Sequence, residues 1–198
     1  MVSMGTDVIG SHDAFQLTAA SGALTVAKNL SVADGSATVP TAVTGAANKR
    51  VGAFTITAGA GEGVEVSSIM VTDESAAFNY LQNLKVMHGT TQIGNTIGTL
   101  NTTTSYTFVP SPYITLAASE AYTIDVYADV KTGLSAGDKG HIVIDEVDGT
   151  GLTTNTSANY TDDVTGQIIY VAEEGTLTVT VDANTPTSDI LPMLSGTG

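Results

Sequence analysis

Carboxylates are the residues of this chain best placed to do chemistry. Asp145-Glu146-Val147-Asp148-Gly149 and Asp162-Asp163 are oxygen-rich stretches at the ends of expected strands. Side-chain carboxylates and turn carbonyls can together supply the six to eight oxygens that calcium takes. Asp145, Asp148, Asp162 and Asp163 are therefore the candidate calcium ligands, and calcium is the only cofactor that the sequence brings into view. Their spacing lacks the order of an EF-hand loop, so the plainer reading is solvated turn acids. Zinc has no close His pair and no Cys to use, because the chain holds three His in separate contexts and no cysteine.

Other catalytic constellations are missing from the sequence. Nucleophilic hydrolysis needs a Ser or Cys beside a His and a carboxylate, yet His12, His88 and His141 sit in unrelated contexts. His141 opens an apolar strand and reads as a strand-edge residue. No Gly-x-x-x-x-Gly-Lys loop leads into a helix, so no phosphate cradle is expected. The expectation is a protein that is not an enzyme.

Composition narrows the class further. Residues are 42% hydrophobic but only 6% aromatic, without Trp, and charged residues make up 13%. Val, Ile, Leu and Ala carry the apolar content, and Thr, Ser, Gly and Asn cover the rest, which suits a β-rich chain with a hydroxyl-covered surface. The net charge of −14, with six Lys plus Arg, argues against nucleic acid and disfavours anionic membranes as partners. Half of the twenty acids lie between Asp138 and Asp189. No apolar run approaches the ~18 residues of a membrane-spanning helix, so membrane insertion is not expected. The first thirty residues show no basic stretch followed by an apolar one, so no signal peptide is visible, and the chain reads as a piece excised from a longer protein.

The elements that must position these residues are strands. Tyr122, Ile124, Val126, Ala128 and Val130 alternate with Thr123, Asp125, Tyr127 and Asp129, the pattern of a half-buried antiparallel strand. Shorter runs follow the same period at 51–58, 84–87, 105–109, 113–116, 141–145 and 167–171. In Val64–Val71 the phase changes at Ser67-Ser68, which predicts a bulge or a crossing between sheets. Residues 73–84 could hold one short helical turn. Turn signals at 60–63, 88–89, 110–112, 137–140 and 148–151 separate the runs. The expected fold is all-β, an immunoglobulin-like antiparallel β-sandwich with flanking strands shared with neighbouring units.

The two ends of the chain echo each other. Phe15-Gln-Leu-Thr-Ala-Ala-Ser-Gly-Ala-Leu-Thr-Val26 returns as Ile168-Ile-Tyr-Val-Ala-Glu-Glu-Gly-Thr-Leu-Thr-Val179, with Gly22, Leu24 and Val26 answered by Gly175, Leu177 and Val179. A fixed period, here about 153 residues, marks tandem units. The expected division is an N-terminal extension at 1–44, holding the end of a preceding repeat and the first core strand near Thr38–Val43, then a sandwich core at 45–175. A C-terminal extension at 176–198 would begin the next repeat. Leu24, Val26, Leu177 and Val179 would carry one sheet into the next unit. Ile190, Leu191, Met193 and Leu194 form an apolar cluster with no obvious home, which either packs on its own domain or adds as a strand to another copy.

Asn83-Leu-Lys-Val-Met-His-Gly-Thr-Thr-Gln-Ile-Gly94, Tyr122-Thr-Ile-Asp-Val-Tyr-Ala-Asp-Val130 and Gly175-Thr-Leu-Thr-Val-Thr-Val-Asp-Ala183 resemble repeat units of large Thr- and Ser-rich surface proteins of ultrasmall, Patescibacteria-like bacteria of the candidate phyla radiation. The similarity spans most of residues 20–198. It implies an extracellular or cell-surface β-sandwich array with no catalytic residues. The expected function is thus a structural module of a surface array or filament whose partners are copies of itself or adjacent repeats. Two alternatives stand beside it. One is a calcium-dependent adhesin or carbohydrate-binding module that meets a glycan ligand through Tyr106, Tyr113 and Tyr160, and the other is a phage capsid or tail protein.

Overall fold

A computed structural model describes residues 21–173. Period-two alternation becomes eleven strands: β1 (Leu24–Lys28), β2 (Ala42–Val43), β3 (Lys49–Ala58), β4 (Val64–Glu74), β5 (Leu81–His88), β6 (Thr91–Ile97), β7 (Tyr106–Phe108), β8 (Ile114–Leu116), β9 (Ala121–Val130), β10 (Lys139–Gly151) and β11 (Val164–Ala172). The short helical turn expected within 73–84 is a 3-10 turn at Ala77–Asn79.

The strands form two sheets. One has the order β1-β3-β9-β5-β6, and the other β2-β11-β10-β4-β7, with β8 also pairing β4. Inward residues of both sheets interdigitate in one core. Phe54, Ile56, Leu84, Val86, Ile124 and Val126 come from the first sheet; Val64, Val66, Ile69, Val71, Ile142, Ile144 and Ile169 come from the second. This is an immunoglobulin-like β-sandwich. Its ladders are antiparallel except for β2, which runs parallel to β11.

The phase change in β4 is a bulge, as the sequence predicts. Ser68 pairs with Asp148 and Val66 with Gly149, so Ser67 is the extra residue. The bulge also divides two partners, because Val64–Val66 pairs with β8 and Ile69–Val71 with β7. A second bulge leaves Asp145 unpaired between Ile144 and Glu146.

Three sequence expectations change. The turn expected at 148–151 is strand, since β10 runs unbroken to Gly151. Gly149 and Gly151 are there because side chains approach closely. A Cβ on Gly149 would lie 2.6 Å from Val64 Cγ1 and 3.0 Å from Leu24 Cδ1, and one on Gly151 would meet the Glu62 carboxylate. β6, whose polar sequence shows little alternation, was missing from the expected runs. Finally, the sheet begins at Leu24, well before residue 45. Leu24 and Val26 are buried in this unit's own core, and β1 pairs with β3 along Leu24↔Ala58 to Lys28↔Phe54.

The segment between β1 and β3 closes one side of the sandwich. Of the strand expected near Thr38–Val43, only Ala42–Val43 joins a ladder. Upstream, side chains stand in for backbone. The Ile168 N–H donates to Asp34 Oδ1 at 2.8 Å, the Tyr170 N–H donates to Thr41 Oγ1 at 3.1 Å, and the Thr41 hydroxyl donates to the Ile168 carbonyl at 3.0 Å. Asp34 is fixed in turn by Lys28 Nζ at 2.6 Å, which with the Ile168 N–H lowers its pKa. The outer edge of β11 is therefore already occupied.

Candidate functional site

The candidate calcium ligands fall into two groups. Asp145 and Asp148 lie within β10, where the sequence had placed a loop end, while Asp162 and Asp163 lie in the segment leading into β11. Asp145 Oδ2 accepts from the Ser105 hydroxyl at 2.6 Å, and Asp148 Oδ2 accepts from Ser68 Oγ at 2.7 Å. Partial burial and the nearby charges of Asp145, Glu74 and Asp162 raise the pKa of Asp163. Glu146 is raised chiefly by the charge of Asp148. Glu74 and Asp163 share the wall of a cleft of about 290 Å³ with Thr72, Asp73, Val143 and Thr165. Among the described residues, no group of three or more His, Cys, Asp or Glu is arranged to hold a metal ion. Like charges face one another here, and each carboxylate makes the next harder to ionise.

The two buried polar side chains of the described residues, Glu62 and Gln167, are structural clasps that no sequence pattern announced. Glu62 lies in the turn between β3 and β4. Its carboxylate accepts from the Thr153 N–H at 2.6 Å, the Thr154 N–H at 2.9 Å, the Thr154 hydroxyl and the Gly22 N–H. These donors favour the ionised form and lower its pKa to about 2, the Thr154 hydroxyl most of all. Gln167 on β11 accepts from the Ala53 N–H of β3 at 2.8 Å and donates to the Asn29 carbonyl at 2.8 Å. It ties the two sheets to the chain segment that covers β11.

On the opposite side of the sandwich the edge strands β6 and β7 touch without pairing. β6 ends the first sheet, and its outer side has no strand partner among the described residues. At Gly94, which has φ +64°, the β6 backbone comes against Phe108 and Val109, and a Cβ would lie 3.0 Å from the Val109 nitrogen. Beyond that contact a cleft of about 310 Å³ opens between Thr91–Ile93 and residues 110–115, floored by Tyr122. Tyr122 stacks on His88 with ring centroids 3.9 Å apart. None of the residues lining the cleft is charged. Tyr113 in its lining is 50% exposed.

Of the three tyrosines considered for glycan contact, only Tyr113 presents a free face. Tyr106 packs edge-on against Phe78 and accepts from the Asn101 N–H, and Tyr160 bridges to Val147 while packing on the core. His141 is not at a strand edge: it sits on β10 between β11 and β4, paired with Ile168 and Glu74, with Nδ1 3.4 Å from the Gly166 carbonyl. Ile190, Leu191, Met193 and Leu194 lie outside the described residues, as does His12. Among the described residues no helix is long and apolar enough to cross a membrane.

No protein-family model and no curated protein matches the chain. Among solved structures, the chain is similar to the seventh ScaB type I cohesin from Pseudobacteroides cellulosolvens, at 16% identity and a TM-score of 0.37, over 70% of this chain and 96% of that one. Similarity at that level says nothing about what this chain does.

Proposed function

We propose that this chain is a non-enzymatic structural module, one full sandwich of a tandem series, which joins copies of itself or adjacent repeats into an extended surface array. The joining element is the Ile190–Leu194 strand, and the array is extracellular. The observation that supports this reading is that one period of the sequence echo coincides with one closed sandwich. The period runs about 153 residues from Leu24 to Leu177, while the sandwich opens with β1 at Leu24 and ends with β11 at Ala172. Leu177-Thr-Val179 therefore stands where the β1 of a following unit would begin. The acidic, hydroxyl-rich surface keeps such an assembly hydrated and soluble.

The test is the oligomeric state of the purified protein at rising concentration, by light scattering and negative-stain microscopy, with and without residues 184–198. Chains or filaments that vanish on truncation support assembly through the Ile190–Leu194 strand. A monomer in both forms overturns that mechanism. Calcium-dependent glycan binding by that monomer would favour the adhesin reading, and occurrence of the chain in phage particles would favour the capsid or tail reading.

A further inference from the structure

We propose that the segment between β1 and β3 is a tension-bearing clamp, which ties the strand where the chain enters the sandwich to the strand where it leaves and resists a lengthwise pull. The tandem reading above supplies only the source of the tension. The resistance itself belongs to one unit.

Entry and exit lie at opposite ends of the sandwich. β10 measures out its length, with 13 residues from Lys139 to Gly151, or about 40 Å at strand spacing. Gly22, just before β1, sits against one end, where a Cβ would lie 3.0 Å from Gly151 Cα. The end of β11 sits at the other, where Tyr170 pairs with Lys139 and the Val171 N–H donates to the Asp138 carbonyl at 2.9 Å. A pull between the two ends therefore runs along the strands. Ladder bonds lie across that direction, so those of the five β1–β3 pairs are loaded together instead of opening one after another.

Beyond β1 the chain turns onto β11 and is fastened along it. The Gln167 side chain donates to the Asn29 carbonyl at 2.8 Å, the Gly35 N–H to the Ile168 carbonyl at 2.8 Å, the Thr41 N–H to the Tyr170 carbonyl at 2.9 Å and the Thr44 N–H to the Ala172 carbonyl at 3.0 Å. Asp34 and Thr41 add side-chain bonds from the Ile168 and Tyr170 N–H groups. β2 runs parallel to β11, so tension draws this segment toward the entry end and β11 toward the exit end. The two slide against each other, and all of these bonds again share the load. With β10 on its other side, β11 is gripped along both edges.

The chain has no cysteine, so pairs of introduced cysteines are unique handles for single-molecule force spectroscopy on the full-length protein. Ser21→Cys with Glu173→Cys, both at exposed positions, pulls lengthwise. Ser21→Cys with Ala60→Cys pulls at one end and peels β1 from β3 bond by bond. The lengthwise rupture force should be several-fold higher and should release about 460–510 Å, the extended length of 21–173 less its folded span. Asp34→Ala/Thr41→Val should lower the lengthwise force and leave the first peeling step unchanged. Ile93→Ala, in β6 and off the load path, should lower Tm with little effect on that force. Equal forces in the two directions overturn the proposal without any destabilised variant. A clamp variant as strong lengthwise as wild type also overturns it, as does Ile93→Ala weakening the unit in step with Tm, since resistance would then follow stability alone. A wild type that stays monomeric yet resists lengthwise sinks the assembly reading and supports the clamp.

Discussion

Replacing Gln167 with Met keeps the length and approximate volume of the side chain and removes its polar atoms. Gln167 is 2% exposed, and Ala53, whose N–H it accepts, is fully buried. In the variant the Ala53 N–H has no acceptor, and the Asn29 carbonyl loses its 2.8 Å donor. A buried group left unsatisfied costs about 1–3 kcal/mol. The Ala53 N–H incurs that cost in full, while the Asn29 carbonyl, nearer the surface, recovers part from water. The expected loss is therefore about 2–4 kcal/mol, or a fall in Tm of about 5–15 °C for a chain of this size. Urea denaturation reads the free energy, and hydrogen exchange at Ala53 reads the site. Because Gln167 also holds the segment that covers β11, exchange should rise at Ile168 and Tyr170 too. Gln167→Glu keeps the acceptor but puts a charge in a buried place, so it should be worse than Met at neutral pH and improve as pH falls through the carboxyl pKa. A Gln167→Met protein that melts within about 2 °C of wild type, with protection at Ala53 intact, would refute the reasoning.

Glu62→Gln should remove a pH dependence. The depressed pKa of Glu62, about 2 against an ordinary 4.5, stabilises the fold above the unfolded value, and that stability is lost as pH falls from about 5 toward 2. The Tm gap between wild type and variant should narrow over that window. Asp163→Asn should act in the opposite sense. Its raised pKa means that the ionised form opposes folding at neutral pH, so the variant should gain about 1–2 °C near pH 7 and nothing where the carboxyl is protonated in both states. Calcium titration of the same pair reads the calcium expectation, since binding at this cluster would raise Tm in wild type more than in the variant. Gly149→Val should overpack the contact with Val64 and Leu24, lowering stability by about 1–3 kcal/mol and raising hydrogen exchange first in β1.

Much of the sandwich is legible in the sequence because a half-buried strand writes its two faces into alternate residues. β9 shows this most fully, with Ile124, Val126, Ala128 and Val130 all buried. The bulge at Ser67-Ser68 is legible for the same reason, as a break in that alternation. β6 is illegible because an edge strand with one solvated face needs few apolar residues, and only Ile93 of its seven is buried. Gly149 and Gly151 mislead because glycine marks a turn and a close approach with the same letter.

Strand content, the acidic composition and the echo between the two ends are readable from the residues alone, because they follow from local periodicity, composition and self-comparison. Tertiary structure alone decided which groups meet. Gln167 reaches Ala53 across 114 residues and Glu62 reaches Thr154 across 92. The closure of β11 by Asp34 and Thr41 was decided in the same way. A hydrogen bond between distant segments leaves no period in either one, so only the folded arrangement says which edge of the sandwich is covered among the described residues.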